Sequence, residues 1–249
     1  MSAVLHQFAP YGPFASASPF CEKVYRAFAY KGVAIDISNT PPQNVAKVSP
    51  QTKKLPVVDV AGQRIGDSSE ALAWLETNHP EPRLIPEDPR DAALVHMLED
   101  YADEGIYPIA VYYRWMVDEN FAPFRDKTFG SIPAPLRGAV VRMVRGKVRK
   151  QLDGQGVGRQ TPATIDDRLR EHVAAIGARV ADGGWLVGDH LTTADLSVFC
   201  MLAPIAQGNV ARAGAIVRAS EPVMAWLRRV DAATRGPVHE KRPPMDLGA

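Results

Sequence analysis

A serine and a cysteine lie at the start of the first predicted helix, where a side chain could act on a thiol. In the segment Ser18-Pro19-Phe20-Cys21, Ser18 is of the N-cap type and proline takes the first helical position. Unpaired N–H groups and the helix dipole favour negative charge there, so the environment stabilises a thiolate. Ser18 is therefore either a simple cap or a group that hydrogen-bonds a sulfur.

Cys21 lies one turn into the same helix. A two-cysteine redox cycle is excluded because serine stands where the attacking sulfur would be. A small buried core residue is the simpler interpretation of Cys21, and a reactive thiol is the alternative.

Two further segments could hold a ligand. Leu55-Pro56 opens an apolar strand, and proline removes a ladder donor there. The sequence does not distinguish a cis from a trans bond at this proline. Asp67-Ser68 precede a helix, where a carboxylate, a hydroxyl and free N–H groups could hold the charged ends of an amino acid. The simpler interpretation of Asp67-Ser68 is a capping pair.

Thr192 and Asp195 have the spacing of a capping box, with Leu191 and Leu196 spaced as a hydrophobic staple. We expect this segment to start a helix and to have a structural role only.

Two groups in the second half of the chain have two interpretations each. Four aromatic side chains could line an apolar pocket for a second substrate or belong to an ordinary core. They are Tyr107, Tyr112, Tyr113 and Trp115. A basic stretch opposed only by Asp153 could attract an anionic partner, although a solvated helix face is the simpler interpretation. Its members are Arg137, Arg142, Arg145, Lys147, Arg149, Lys150 and Arg159.

Composition excludes several classes of protein. The chain has 249 residues, 46% of them hydrophobic, with 29 Lys and Arg against 28 Asp and Glu. This near-neutral balance argues against a nucleic-acid partner. Two cysteines cannot form a disulfide framework or a four-cysteine zinc site. The histidines, including His96 and His172, show no metal-ligand spacing, and no nucleotide-binding fingerprint is present. Without a signal peptide or a bilayer-length apolar run, we expect a cytoplasmic protein with no membrane partner.

The order of elements changes at a proline-rich stretch, HPEPRLIPEDPR, at residues 79–90. Strands are predicted before it at residues 3–8, 33–37, 55–60 and 64–65, with helices after Ser18 and Asp67. After it, helices are predicted at residues 91–101 (running on towards Trp115), 136–152, 164–181, 192–203 and 222–233.

This order of motifs, with S-P-F-C, L-P, D-S and L-T-T-A-D at their positions, resembles the cytosolic glutathione transferase superfamily over nearly the whole chain. The resemblance implies an α/β thioredoxin-like domain at residues 1–79 that binds glutathione, a linker at 80–90 and an all-α domain at 91–240. We expect residues 241–249 to be a disordered tail. The resemblance to the transferase superfamily also implies a homodimer.

By the same resemblance, Ser18 faces the glutathione sulfur, and Pro56 matches the family's cis-proline. Leu55 then bonds the cysteinyl part of glutathione, and Asp67 and Ser68 hold its γ-glutamyl end. Asp195 matches the buried aspartate of the helical domain. The family's electrophile site coincides with the aromatic cluster near Tyr107, and no metal is implied.

Two departures keep other possibilities open. The loop APYGPFASAS is longer than usual, so Ser16 or Tyr11 could contact the sulfur instead. Residues 112–121 and 154–161 resemble the metaxin and failed-axon-connections branch, whose members are often not established as transferases. The expected function is conjugation of glutathione to a small apolar electrophile. The alternatives are a non-catalytic binding or adaptor protein, or a glutathione-dependent isomerase, dehalogenase or thiol reductase.

Overall fold

The computed structural model describes residues 3–130, 132–207 and 210–247. The strands are β1 (Ala3–Gln7), β2 (Ile35–Asn39), β3 (Val57–Val60) and β4 (Gln63–Ile65). The helices of the first half are α1 (Pro19–Tyr30), α2 (Val45–Val48) and α3 (Ser68–Asn78). Those that follow are α4 (Pro89–Asp100), α5 (Tyr107–Met116), α6 (Asp118–Phe129), α7 (Ala134–Gly154), α8 (Pro162–Val180), α9 (Thr193–Ala206), α10 (Ala211–Arg218), α11 (Glu221–Thr234) and α12 (Pro237–Glu240).

The strands form one mixed sheet in the order β2-β1-β3-β4. β1 runs parallel to β2 and antiparallel to β3, so that Leu5 lies opposite both Ile37 and Val58. β3 and β4 form a hairpin whose turn residues, Ala61 and Gly62, both have positive φ, as a tight hairpin turn requires. This β-α-β unit followed by a hairpin and a helix confirms the predicted thioredoxin-like fold class, with helices after it.

Several predicted boundaries are wrong in detail. β2 begins at Ile35 rather than residue 33, because the Val33 amide donates to the Phe28 carbonyl in the turn that ends α1. Leu55 and Pro56 precede β3 instead of opening it. A π-helical segment at Tyr101–Ile106 lies between α4 and α5, where one continuous helix was predicted. Among the described residues, four helices were not predicted: α2, α6, α10 and α12.

The chain divides into two compact units. The first contains the residues up to Glu99 together with Gly183–Cys200 and Ala225–Met245, so it includes the sheet and parts of α9 and α11. The second contains Asp100–Asp182, Met201–Met224 and the residues from Asp246. The predicted domain boundaries stay predictions.

Each unit has its own buried core. In the first, Leu5, Phe28 and Leu75 are fully buried, as is Trp226 of α11. The predicted tail contacts this unit at Arg242, whose guanidinium donates to the Gly12 carbonyl at 2.8 and 3.0 Å; residues 248–249 lie outside the described ranges. The buried side chains of the second unit include those of Ile106, Ile109, Leu169 and Val180. None of the described helices is both long and apolar enough to span a bilayer.

Candidate functional site

Ser18 occupies the N-cap position of α1, but its side chain makes no capping hydrogen bond. Its backbone is extended, with φ −95° and ψ 125°, and Pro19 follows at the first helical position, as predicted. The residue is half-buried. A hydroxyl that is not used for capping can instead serve a ligand at the positive end of the helix.

The loop before Ser18 is held by the neighbouring serine. Ser16 is buried; its hydroxyl donates to the Phe8 carbonyl at 3.0 Å and accepts from the Ser18 amide at 3.2 Å. The Ser16 amide donates to Oε2 of Glu22 at 3.2 Å. Ser16 thus faces the protein interior, and its contacts position Ser18. Tyr11 lies further back in a turn, where its backbone pairs with Phe14.

Cys21 is fully buried in a small apolar cluster that includes Val45, Leu55 and Val57. Burial raises the pKa of the Cys21 thiol to about 11, although a hydrogen bond with the Ser18 hydroxyl opposes the rise. The thiol therefore keeps its proton at neutral pH and can donate to the Ser18 oxygen. Burial and a raised pKa favour the core interpretation of Cys21.

Leu55-Pro56 lies beside the start of α1. The peptide bond between the two residues is cis, as in the family that the sequence resembles. Because the Leu55 side chain packs in the same cluster as Cys21, the structure brings this segment and the first turn of α1 together.

Asp67 and Ser68 open α3, as predicted. Oδ1 of Asp67 accepts capping hydrogen bonds from the amides of Ser69 at 2.8 Å and Glu70 at 3.2 Å. Asp67 is exposed, whereas Ser68 is buried. Both capping bonds end on one oxygen, so the capping function leaves Oδ2 and the Ser68 hydroxyl for a ligand.

A buried ion-pair network supports α1 from the C-terminal end of the chain, and sequence reasoning missed it. Oε1 of Glu22 accepts from Arg26 Nε at 2.7 Å and lies 2.7 Å from Nε2 of His239. The Gly236 amide donates to Nδ1 of His239, so Nε2 carries the proton and donates to Glu22. Burial would raise the pKa of Glu22, but the Arg26 guanidinium and His239 outweigh burial and hold this pKa below its ordinary value. Glu22 is therefore ionised at neutral pH and its charge is compensated.

The network extends to α11 through the same arginine. Arg26 also donates to Asp231 Oδ1 at 2.8 Å and to the Thr234 hydroxyl at 2.7 Å, and its guanidinium stacks on Phe199. Pairs separated by about two hundred positions cannot be predicted from local spacing.

A second buried pair joins α1 to the last turn of α4. Lys23 Nζ lies 2.9 Å from Oε1 of Glu99, and the Ser69 hydroxyl donates to the same oxygen at 2.8 Å. Lys23 and Glu99 were also missed. The only signal in the sequence is a lysine beside the apolar stripe of α1. The pair fixes the start of α3, where Asp67 and Ser68 lie.

The predicted aromatic pocket residues belong to the second unit. Tyr113 is buried and donates to Asp166, while Trp115 packs against Phe121 and Phe124 of α6. These contacts favour a core role for Tyr113 and Trp115. Three of the predicted residues are only partly buried: Tyr107, Tyr112 and Trp115.

Thr192 and Asp195 form the expected helix start. Oδ2 of the fully buried Asp195 accepts from the Thr192 amide and hydroxyl, each at 3.0 Å. Its Oδ1 accepts from the Leu186 amide and from Trp226 Nε1. Burial raises the pKa of Asp195, and these donors oppose the rise. Within the described ranges no group of His, Cys, Asp or Glu has the arrangement of a metal site.

Two curated relatives are enzymes. The chain is 22% identical to an isoprene-epoxide glutathione S-transferase from Rhodococcus sp. (strain AD45) over 193 residues, covering 76% of this chain and 80% of the relative. It is 35% identical to maleylacetoacetate isomerase from Rattus norvegicus over 81 residues, but this alignment spans only 32% of this chain and 38% of the isomerase.

A solved structure has the same fold over nearly the full length. A rice glutathione S-transferase in complex with glutathione superposes with a TM-score of 0.66 at 18% identity, covering 98% of this chain and 90% of the rice chain. Two family models also match: the glutathione S-transferase N-terminal domain at residues 14–83 and the C-terminal domain at residues 147–229. Together these two models cover more than half of the sequence, and the chain belongs to the cytosolic glutathione S-transferase superfamily.

Proposed function

We propose that this protein binds glutathione and transfers it, as the thiolate, to a small apolar electrophile. The observation that carries the proposal is the Ser18 side chain at the N-terminus of α1, which makes no capping bond. The Ser18 O–H donates to the glutathione sulfur, and the first-turn amides add positive potential. Together these donors lower the pKa of the glutathione thiol. Each unit of that decrease corresponds to about 1.4 kcal/mol in favour of the thiolate.

The remainder of glutathione is held by backbone and polar groups of the same unit. Leu55, preceding cis-Pro56, supplies backbone hydrogen bonds to the cysteinyl part. The Ser68 hydroxyl and amide bind the γ-glutamyl carboxylate at the start of α3, where free N–H groups favour an anion. Oδ2 of Asp67 accepts from the γ-glutamyl ammonium group, since Oδ1 is used by the cap.

The best-supported class of electrophile is an epoxide, because the curated relative that covers 76% of the chain is named for one. The thiolate sulfur attacks a ring carbon, a C–S bond forms and a C–O bond breaks. The released alkoxide then takes a proton from water. The partly buried tyrosines Tyr107 and Tyr112 are the candidates to line the electrophile pocket, and Tyr113 packs against Tyr112. We further propose that the enzyme is a cytoplasmic homodimer.

A glutathione-dependent isomerase is the second candidate, and it is supported by the local identity of 35% to maleylacetoacetate isomerase. That reaction would use the same thiolate without consuming glutathione. A thiol reductase is disfavoured because Cys21 is buried and protonated. A binding or adaptor protein of the metaxin-like branch is the alternative that predicts no chemistry.

Consumption of free thiol in the presence of styrene oxide separates these functions. Conjugation lowers the concentration of free glutathione thiol by the same amount as that of the epoxide. An isomerase instead leaves the glutathione concentration unchanged while it converts a cis-enone acid to the trans isomer. Conjugation by wild-type protein that slows in Ser18→Ala supports the proposal. If the wild-type protein turned over neither styrene oxide nor the cis-enone acid, the proposal would be contradicted.

A further inference from the structure

A groove between α6 and α7 lies wholly within the second unit and has a volume of about 540 Å³. This volume is in the range of ligand-binding clefts. Arginines dominate its walls, Phe121 and Val141 contribute apolar surface, and Asp118 also lines it. The arginines are Arg125, Arg142, Arg145 and Arg149.

The positive charge of this groove is only partly compensated, because Arg125 pairs with Asp126 and Arg145 with Asp118. Arg145 donates to the Trp115 carbonyl and to Asp118, and its guanidinium stacks on Phe121. Arg142 and Arg149 are exposed, and neither has an ion-pair partner in the part of the chain that the structure describes. They lie two helical turns apart on one face of α7. An anion bound along this face would contact the guanidinium groups of both residues.

Two glycines in α7 keep the groove open. Gly138 and Gly146 both line it, and a Cβ added at either position would meet no atom within 4 Å. Glycine is the poorest helix former after proline, and neither position requires it for backbone conformation or packing. A side chain at either glycine would occupy the groove.

We propose that this groove binds an acidic peptide segment of a protein partner in extended conformation. Arg142 and Arg149 are separated by about 10 Å along the helix, which is the length of about three residues of extended chain. Two carboxylates at that spacing can each receive a bidentate guanidinium contact. The net charge of +1 for the whole chain favours a local acidic segment over a nucleic acid, which needs a broad basic surface.

The test is fluorescence anisotropy with a short labelled peptide that repeats Glu-Leu-Gly, compared with the same peptide carrying glutamine. We expect wild-type protein to bind only the glutamate peptide. Arg142→Ala/Arg149→Ala should weaken binding by about tenfold or more. The matched control is Lys147→Ala/Lys150→Ala, which removes the same charge from the same helix outside the groove. It should retain binding.

A second variant tests the groove independently of charge. Gly146→Leu should abolish binding while leaving the melting temperature unchanged or higher, because leucine is the better helix former. Three results would overturn the proposal: no binding of the glutamate peptide to wild type, equal weakening by the lysine pair, or tighter binding of a single-stranded oligonucleotide than of the peptide.

Discussion

At the scale of single residues, the proposed chemistry depends on the hydroxyl of Ser18. Its neighbours are the Cys21 thiol, which hydrogen-bonds the Ser18 hydroxyl, and the Ser16 hydroxyl, which accepts from the Ser18 amide. The hydroxyl makes no capping bond, so in the proposed reaction it donates to the bound thiolate. Ser18 contributes through the sulfur alone, so its removal should affect the thiol more than glutathione affinity.

Ser18→Ala should raise the pKa of the bound glutathione thiol by about one unit, which is about 1.4 kcal/mol of lost thiolate stabilisation. Ultraviolet absorbance of the thiolate, followed as a function of pH at saturating glutathione, measures this pKa. The dissociation constant should change little. An unchanged thiol pKa would show that another side chain contacts the sulfur, and Ser16→Ala and Tyr11→Phe would be measured next.

Cys21 should not react in the native protein, because a buried thiol with a pKa of about 11 supplies little thiolate at neutral pH. We expect iodoacetamide to label Cys21 and Cys200 only after unfolding, since both are buried thiols that form no disulfide. Mass spectrometry of peptides from native and denatured protein identifies the labelled sites. Native labelling at Cys21 with loss of activity would contradict its core role.

At the scale of elements, the segment from α11 to α12 holds the first turn of α1 in place. Glu22 is the central acceptor: it receives Arg26 and His239 on Oε1 and the Ser16 amide on Oε2. Its charge lies near the proposed thiolate, and Arg26 compensates it. Loss of this network would therefore disturb both the folding of α1 and the potential at its N-terminus.

Glu22→Gln should lower the free energy of unfolding at pH 7 by about 3 kcal/mol, because buried Arg26 loses one of its charge partners and keeps Asp231. The pKa of Glu22 is lowered in the folded state, so its contribution is complete above its ordinary value of 4.5 and decreases as the pH falls below that value. Urea unfolding between pH 7 and pH 3 measures this effect as the wild-type-minus-variant difference.

The control for this experiment is Glu240→Gln, which changes an exposed carboxylate of the same segment and should alter stability by less than about 0.5 kcal/mol. A wild-type-minus-Glu22→Gln difference that does not decrease on acidification would show that the Glu22 charge does not stabilise the folded state.

At the scale of the whole molecule, local patterns predicted the order of elements and the positions of Ser18, Asp67 and Asp195 at helix starts. Those features depend on neighbouring residues: a cap before a proline, or a capping box before an apolar run. The start of β2 was misplaced because the turn at the end of α1 includes Val33. The strand pattern does not reveal that turn.

The supporting contacts of the site could not be predicted for a different reason. Glu22 and His239 are 217 residues apart, and Lys23 and Glu99 are 76 apart. A single sequence contains no signal for such pairs, because each partner alone has the pattern of an ordinary surface residue. The same limit applies to Tyr113, whose contact with Asp166 becomes evident only when α8 packs beside it.

Calorimetric titration of the intact protein with glutathione, for wild type and Ser68→Ala, tests whether this protein binds glutathione at the start of α3. We expect wild type to bind and Ser68→Ala to bind about tenfold more weakly, a loss of about 1.4 kcal/mol. Thr77→Ala is the control, since that exposed hydroxyl lies in the last turn of α3 and donates to the Ala73 carbonyl, and it should bind like wild type. Absence of wild-type binding up to millimolar glutathione would contradict the transferase function, although the fold would be unaffected.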